Sequence, residues 1–183
     1  MQMADGTLLT HLVLTAIGDD RPGLVEELAT AISTQGGNWL EASMAQLAGK
    51  FAGIVNVAVP AEKVEALKAA LAQLKGLKVS AETASAEKSA PHLQTIGRHL
   101  TLTLVGHDRI GIVREVAQVL ARHAVNVEEL ATYTSSAPMS AEVLFHAEAE
   151  LCAAPDFDAR ALKLALERLS DDLMVDISLG ETL

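Results

Sequence analysis

Two stretches of alternating apolar and polar residues lie 88 positions apart, and each leads into a helical pattern. Leu100, Leu102 and Leu104 fall on one face with Thr101 and Thr103 on the other, a period of two that predicts strands over 11–17 and 99–105. Gly18 and Gly106 follow and are expected to end those strands. Apolar residues then recur at helical spacing: Leu24, Val25, Leu28, Ala29 and Ile32, matched by Ile112, Val113, Val116, Ala117 and Leu120. Asp20 and Asp108 stand before these helices as potential N-caps, Pro22 suits a first turn, and Glu26 and Glu27 sit where the helix dipole favours acid. Gly36 and Gly37 supply a helix stop in the first copy.

Strands are next expected from about Asn38 to Leu47 and from Phe51 to Val59, joined by a turn at Gly49 and Lys50. The second copy places them from Asn126 to Thr134 and from Met139 to Ala149, around a turn of Ser135, Ser136, Ala137 and Pro138. Second helices are spaced by Val64, Leu67, Leu71 and Leu74, and by Leu162, Leu166 and Leu169. Last strands are expected over Leu77–Ala81 and Leu173–Leu179. Each unit reads βαββαβ, which predicts an α+β chain of two ferredoxin-like domains in tandem.

The repeat is more than periodicity. His11 to Val25 returns without a gap as His99 to Val113, and Glu27, Ala29, Asn38 and Glu41 recur as Glu115, Ala117, Asn126 and Glu129. Packing alone accounts for repeated Leu, Val and Ala, but not for a repeated Gly-x-Asp-Arg-x-Gly loop or for a lone Asn downstream. A repeat this long is a duplicated domain. The expected division is 1–82 for the first domain and 98–183 for the second. Residues 83–97, small, polar and containing Pro91, form the linker.

Half of the residues are hydrophobic but only 3% are aromatic, so aliphatic side chains must fill both cores. Domains this small gain from burying surface on one another, and a homodimer with packed copies is expected. The net charge of −10, with no basic run, argues against direct nucleic-acid binding, which needs clustered Lys and Arg to replace phosphate counterions. A single cysteine, Cys152, fits a reducing cytoplasm, and no apolar run is long enough for a membrane span or signal segment.

The loop Asp19, Asp20, Arg21, Pro22, Gly23, Leu24 entering the first helix, with Gly37 and Asn38 opening the next strand, resembles the ACT domain. Asp108, Arg109, Ile110, Gly111 and Ile112, with Asn126, look like the same module again. That family comprises small regulatory modules that typically bind amino acids. For a stand-alone tandem pair, the resemblance implies a non-enzymatic regulator that senses a small amino acid, with glycine the first candidate. It would control transcription by binding a DNA-binding activator; the alternative is a regulatory subunit of a biosynthetic enzyme. No cofactor and no metal is implied. In family members the ligand commonly lies between two modules, one supplying the loop and the other the Asn-bearing strand.

The residue chemistry suits an amino acid. A helix N-terminus presents unpaired N–H groups and a positive dipole end to a carboxylate. Gly23 and Gly111, lacking Cβ, allow close approach to the backbone. Asn38 and Asn126 both donate and accept, and Asp19, Asp20 and Asp108 could accept from an ammonium. Structural roles stay open beside these: helix capping for the Asp residues, surface ion pairs for Arg21 and Arg109, a turn for Asn38. The copies differ where Asp19 becomes His107 and Pro22 becomes Ile110, so if one site has drifted from ligand binding, it is expected to be the second. Acylphosphatases share the βαββαβ order and use an Arg loop, but Asp19 and Asp20 would set two negative charges beside a phosphate. The six histidines do not cluster in sequence, no Cys lies near them, and no metal site is expected.

Overall fold

The computed structural model describes residues 3–4, 7–84, 97–136, 142–173 and 175–181. Two compact units divide the chain, 1–91 and 92–183. In the first, a two-residue strand β1 (Met3–Ala4) pairs with β2 (Thr7–Asp19), followed by α1 (Leu24–Thr34), β3 (Asn38–Leu47) and β4 (Lys50–Pro60). A single 3₁₀ turn at Ala61–Lys63 leads into α2 (Val64–Ala72), and β5 (Leu77–Thr83) closes the unit. The second unit repeats the order as β6 (Arg98–His107), α3 (Ile112–Arg122), β7 (Asn126–Ser136), β8 (Val143–Ala153), α4 (Ala159–Leu173) and β9 (Val175–Glu181). All strand pairs are antiparallel, ordered β3-β4-β2-β5 and β7-β8-β6-β9, the ferredoxin-like arrangement expected.

The period of two does its work in the central strands. Leu12, Leu14 and Ala16 of β2 and Val55, Val57 and Val59 of β4 are buried against Leu24, Leu28 and Ile32 of α1 and Leu67 and Leu71 of α2. The second core is built alike, from Leu100, Leu102, Leu104, Ala147, Ala149 and Leu151 beneath Ile112, Val116, Leu120, Leu162 and Leu166. Among the described residues no polar or charged residue is buried, so aliphatic burial carries both units. Val25 and Val113, predicted on the apolar helix stripes, are instead 47% and 45% exposed, because a stripe at i, i+4, i+8 is enough to cover these small sheets.

Several sequence expectations are corrected. Gly18 and Gly106 do not end their strands; both lie inside the sheet. A Cβ at Gly18 would run into the carbonyl oxygen of Gly76, and one at Gly106 into the side chain of Val175, so each glycine allows close packing rather than a turn. The first hairpin turns at Ala48 and Gly49, both with positive φ, and Lys50 already belongs to β4. Ser135 and Ser136 extend β7, and β8 starts at Val143, later than expected; the rest of the predicted turn, Ala137 and Pro138, lies outside the described residues. Thr83, placed in the linker, is the last residue of β5, and 85–96 lie outside the described residues.

The stop after α1 is as read. Gly36 is left-handed, and Gly37 N–H donates to Ile32 O at 3.0 Å. The second copy makes the same stop without glycine: Ala124 takes φ 54°, and Val125 N–H donates to Leu120 O at 3.0 Å.

Candidate functional site

The loop after each first strand ends at a left-handed glycine, Gly23 with φ 93° and Gly111 with φ 98°. These glycines, rather than Asp20 and Asp108, are the N-caps, and neither helix start receives a side-chain cap. The Asp residues lie three positions too early, since the turn at 22–23 delays the helix to Leu24. Glu27 N–H donates to Gly23 O at 2.9 Å and Glu115 N–H to Gly111 O at 3.0 Å, closing the first turns. The amides of the first turn ahead of those bonds have no intrahelical acceptor. Leu24 and Ile112, predicted to contact ligand, have side chains buried in the cores, so only their backbone amides face this end.

An arginine folds over each helix start. Arg21 makes a two-pronged ion pair with Glu27, at 2.6 and 2.8 Å, and donates to Lys75 O at 3.2 Å. Arg109 reaches Glu115 at 2.7 Å. The hydrogen bond from Arg21 holds the Glu27 carboxyl below its ordinary value, and Glu27 in turn raises the Arg21 guanidinium. The loop is further pinned by Asp20 N–H to Gly49 O and Asp108 N–H to Val143 O, both 2.9 Å. Asp19 pairs with Lys50, which lowers the Asp19 carboxyl. In the second copy the corresponding His107 stands 3.8 Å from Glu142. Pro22 and Ile110 are exposed at the loop tips, Ile110 fully so.

Asn38 and Asn126 are not brought to these loops within their own units. Asn38 opens β3 opposite Ala58, which in turn pairs with His11, whereas the loop leaves β2 after Asp19. Eight residues of strand separate the two levels, roughly 27 Å along the sheet. Asn126 stands opposite Cys152, which pairs with His99, again the end of the sheet remote from Gly111. A ligand touching both loop and Asn would therefore have to draw them from different modules. The second unit also has a wholly apolar hollow of about 50 Å³ lined by α3 and the sheet, including Ile112, Val113, Val127 and Leu130. The first unit carries Trp39 where Val127 stands, and Trp39 packs against its core.

Sheet pairing also assembles a group that is scattered in sequence. His99, Glu128 and Cys152 present ligating atoms within 4.8 Å of one another. Only register could have disclosed it, because the three residues come from three strands. Cys152 is raised above its ordinary value by burial and by the nearby Glu128 charge, the opposite of an activated nucleophile. Tyr133 stacks on His146 with centroids 4.5 Å apart, consistent with packing on the sheet. No described helix is long and apolar enough to cross a membrane.

Both units match the family model for the ACT domain, over residues 10–82 and 98–180, and the chain belongs to that family. The ACT domain is a small-ligand regulatory module, and nearly the whole chain consists of it. Among solved structures, an unknown protein from Galdieria sulphuraria is 30% identical, with a TM-score of 0.82, covering 96% of this chain and all of that one. A second structure, named as a "putative glycine cleavage system transcriptional repressor", is 22% identical with a TM-score of 0.69, covering 96% of this chain and 99% of that one; it shows the tandem fold. No curated protein matches the chain.

Proposed function

We propose that this protein is a non-enzymatic sensor of a small amino acid, glycine first, that regulates transcription by binding a DNA-binding activator. The supporting observation is the pair of helix starts, each capped by a left-handed glycine with no side chain occupying the cap. An open helix N-terminus is a site for a carboxylate, by its N–H groups and its dipole. Arg21 and Arg109 are engaged by Glu27 and Glu115, so they act as positioning residues that shape the loop. Asp20 and Asp108, not spent on capping, are the acceptors for an ammonium. Asn38 and Asn126 lie remote from the loops of their own units, so each would contact such a ligand only from a second copy of the chain. The structural neighbour named for glycine cleavage control supplies the direction toward glycine and transcription. The acidic balance supports leaving DNA contact to the partner rather than to this chain.

Calorimetric titration of the full chain with free amino acids tests the reading. One amino acid should bind selectively, and Asn38→Ala or Asn126→Ala should weaken it at least tenfold with the fold intact. Affinity unchanged in both variants would remove the Asn residues from the site, and no binding by any amino acid would remove the sensor reading.

A further inference from the structure

The outer face of the second sheet carries a row of residues that the amino-acid reading leaves without a role. His99 of β6 pairs directly with Cys152 of β8, so both side chains stand on the same face, away from the buried Leu100 and Leu151. Glu128 joins them through an irregularity in β7: Val127 pairs with Leu151 and Glu129 with Glu150, leaving Glu128 as the extra residue of a bulge. Its Oε2 lies 3.3 Å from His99 Nδ1. Both side chains are about one-third exposed, and Cys152 is half-buried. We propose that His99, Glu128 and Cys152 form a site for a divalent transition-metal ion, zinc being the best match, with water completing the coordination.

The donor set selects the ion class. Imidazole, thiolate and carboxylate together suit a borderline-soft cation, whereas calcium and magnesium prefer all-oxygen sites. Nitrogen and oxygen ligands each about 2.0–2.1 Å from a tetrahedral zinc stand roughly 3.3 Å apart. The His99–Glu128 separation already has that length. The sulfur needs only a side-chain adjustment from within 4.8 Å. Space for it is kept by Gly97, where a Cβ would run into Cys152 Sγ. On binding, the metal takes the place of the thiol proton, which leaves to solvent, and no redox step is involved.

The duplication provides an internal comparison. His11 occupies the place of His99, but its pairing partner is Ala58 rather than Cys152, and Leu40 stands at the bulge position of Glu128. The first unit has thus kept the histidine and lacks both other donors. There His11 Nδ1 is buried with no hydrogen-bond partner among the described residues. A metal in the second unit would bind β6, β7 and β8 together and hold down the exposed edge strand β7. The donor set itself, and not the amino-acid reading, carries this site.

Metal-free full-length protein titrated with Co²⁺, and then with Zn²⁺ in competition, tests the site. The expected result is one Co²⁺ per chain with a thiolate-to-cobalt charge-transfer band, displaced by Zn²⁺, and a higher melting temperature with Zn²⁺. Cys152→Ala and Glu128→Leu install the residues that the first unit carries in this same fold, so folding should survive, as circular dichroism would verify. Cys152→Ala should abolish the band, and each variant should weaken Zn²⁺ binding at least tenfold, while His11→Ala leaves both unchanged. Absence of the band in the wild-type protein, or equal Zn²⁺ affinity in Cys152→Ala, would overturn the proposal.

Discussion

Gly23 and Gly111 hold φ near +95° because nothing with a Cβ takes that turn without strain, and the loop residues around them are arranged accordingly. Arg21 turns back on Glu27, six residues on, and Arg109 does the same with Glu115. The pair is exposed, so its contribution is to loop geometry more than to stability. Its pH dependence has a definite sign. Glu27 is lowered from an ordinary value of 4.5, so the stability it contributes is present above that value and is lost as pH falls through the folded one. Glu27→Gln should therefore flatten the loss of stability as pH falls below the ordinary value of 4.5, read from urea unfolding at a series of pH values. A variant that tracks the wild-type profile throughout that range would show that the ion pair adds nothing measurable to stability.

At the scale of the element, the two copies solve the same problem with different residues, and the comparison predicts which solutions are strained. After α1 the left-handed position is Gly36; after α3 it is Ala124, and an alanine there bears a cost of about 1–2 kcal/mol. Ala124→Gly should raise stability by about 0.5–1 kcal/mol in chemical denaturation, the greater freedom of glycine in the unfolded chain offsetting part of the relief. A loss of stability would place the cause elsewhere than in the backbone. Gly18→Ala should act the other way, costing about 1–3 kcal/mol, because the added Cβ meets the carbonyl of Gly76 rather than a side chain that can rotate away. No measurable change there would mean that β2 and β5 separate readily at that point.

These elements also show what could be read from the chain. The alternation of Leu100 to Leu104 and the i, i+4, i+8 set Leu24, Leu28 and Ile32 were legible because burial acts on every position of a period. Gly18 was misread because a glycine that ends a strand and one that admits a neighbouring backbone look alike in sequence. Asp20 was misread as a cap because the turn before Gly23 shifts the helix start, and local propensity does not count turns. The loop residues were legible through their repetition. The distance from Gly23 to Asn38 and the meeting of His99, Glu128 and Cys152 were not, since both depend on which residue faces which across the sheet.

Taken as a whole, the molecule is two ACT domains with aliphatic cores and a net charge of −10. That charge is ill suited to gripping DNA, and under the proposed function a ligand that favours one state of the chain would change its affinity for a partner. Under the proposed function that coupling begins where the ligand carboxylate meets an open helix N-terminus. The direct test is thermal unfolding of the full chain with each free amino acid, glycine included, and in parallel with the corresponding amide, such as glycinamide, which lacks the carboxylate. A ligand at about 100 times its Kd should add roughly 2.7 kcal/mol, a rise of several degrees, for one amino acid and not for its amide. An equal rise with the amide would contradict carboxylate binding at the helix start, and no rise with any amino acid would contradict the sensor itself.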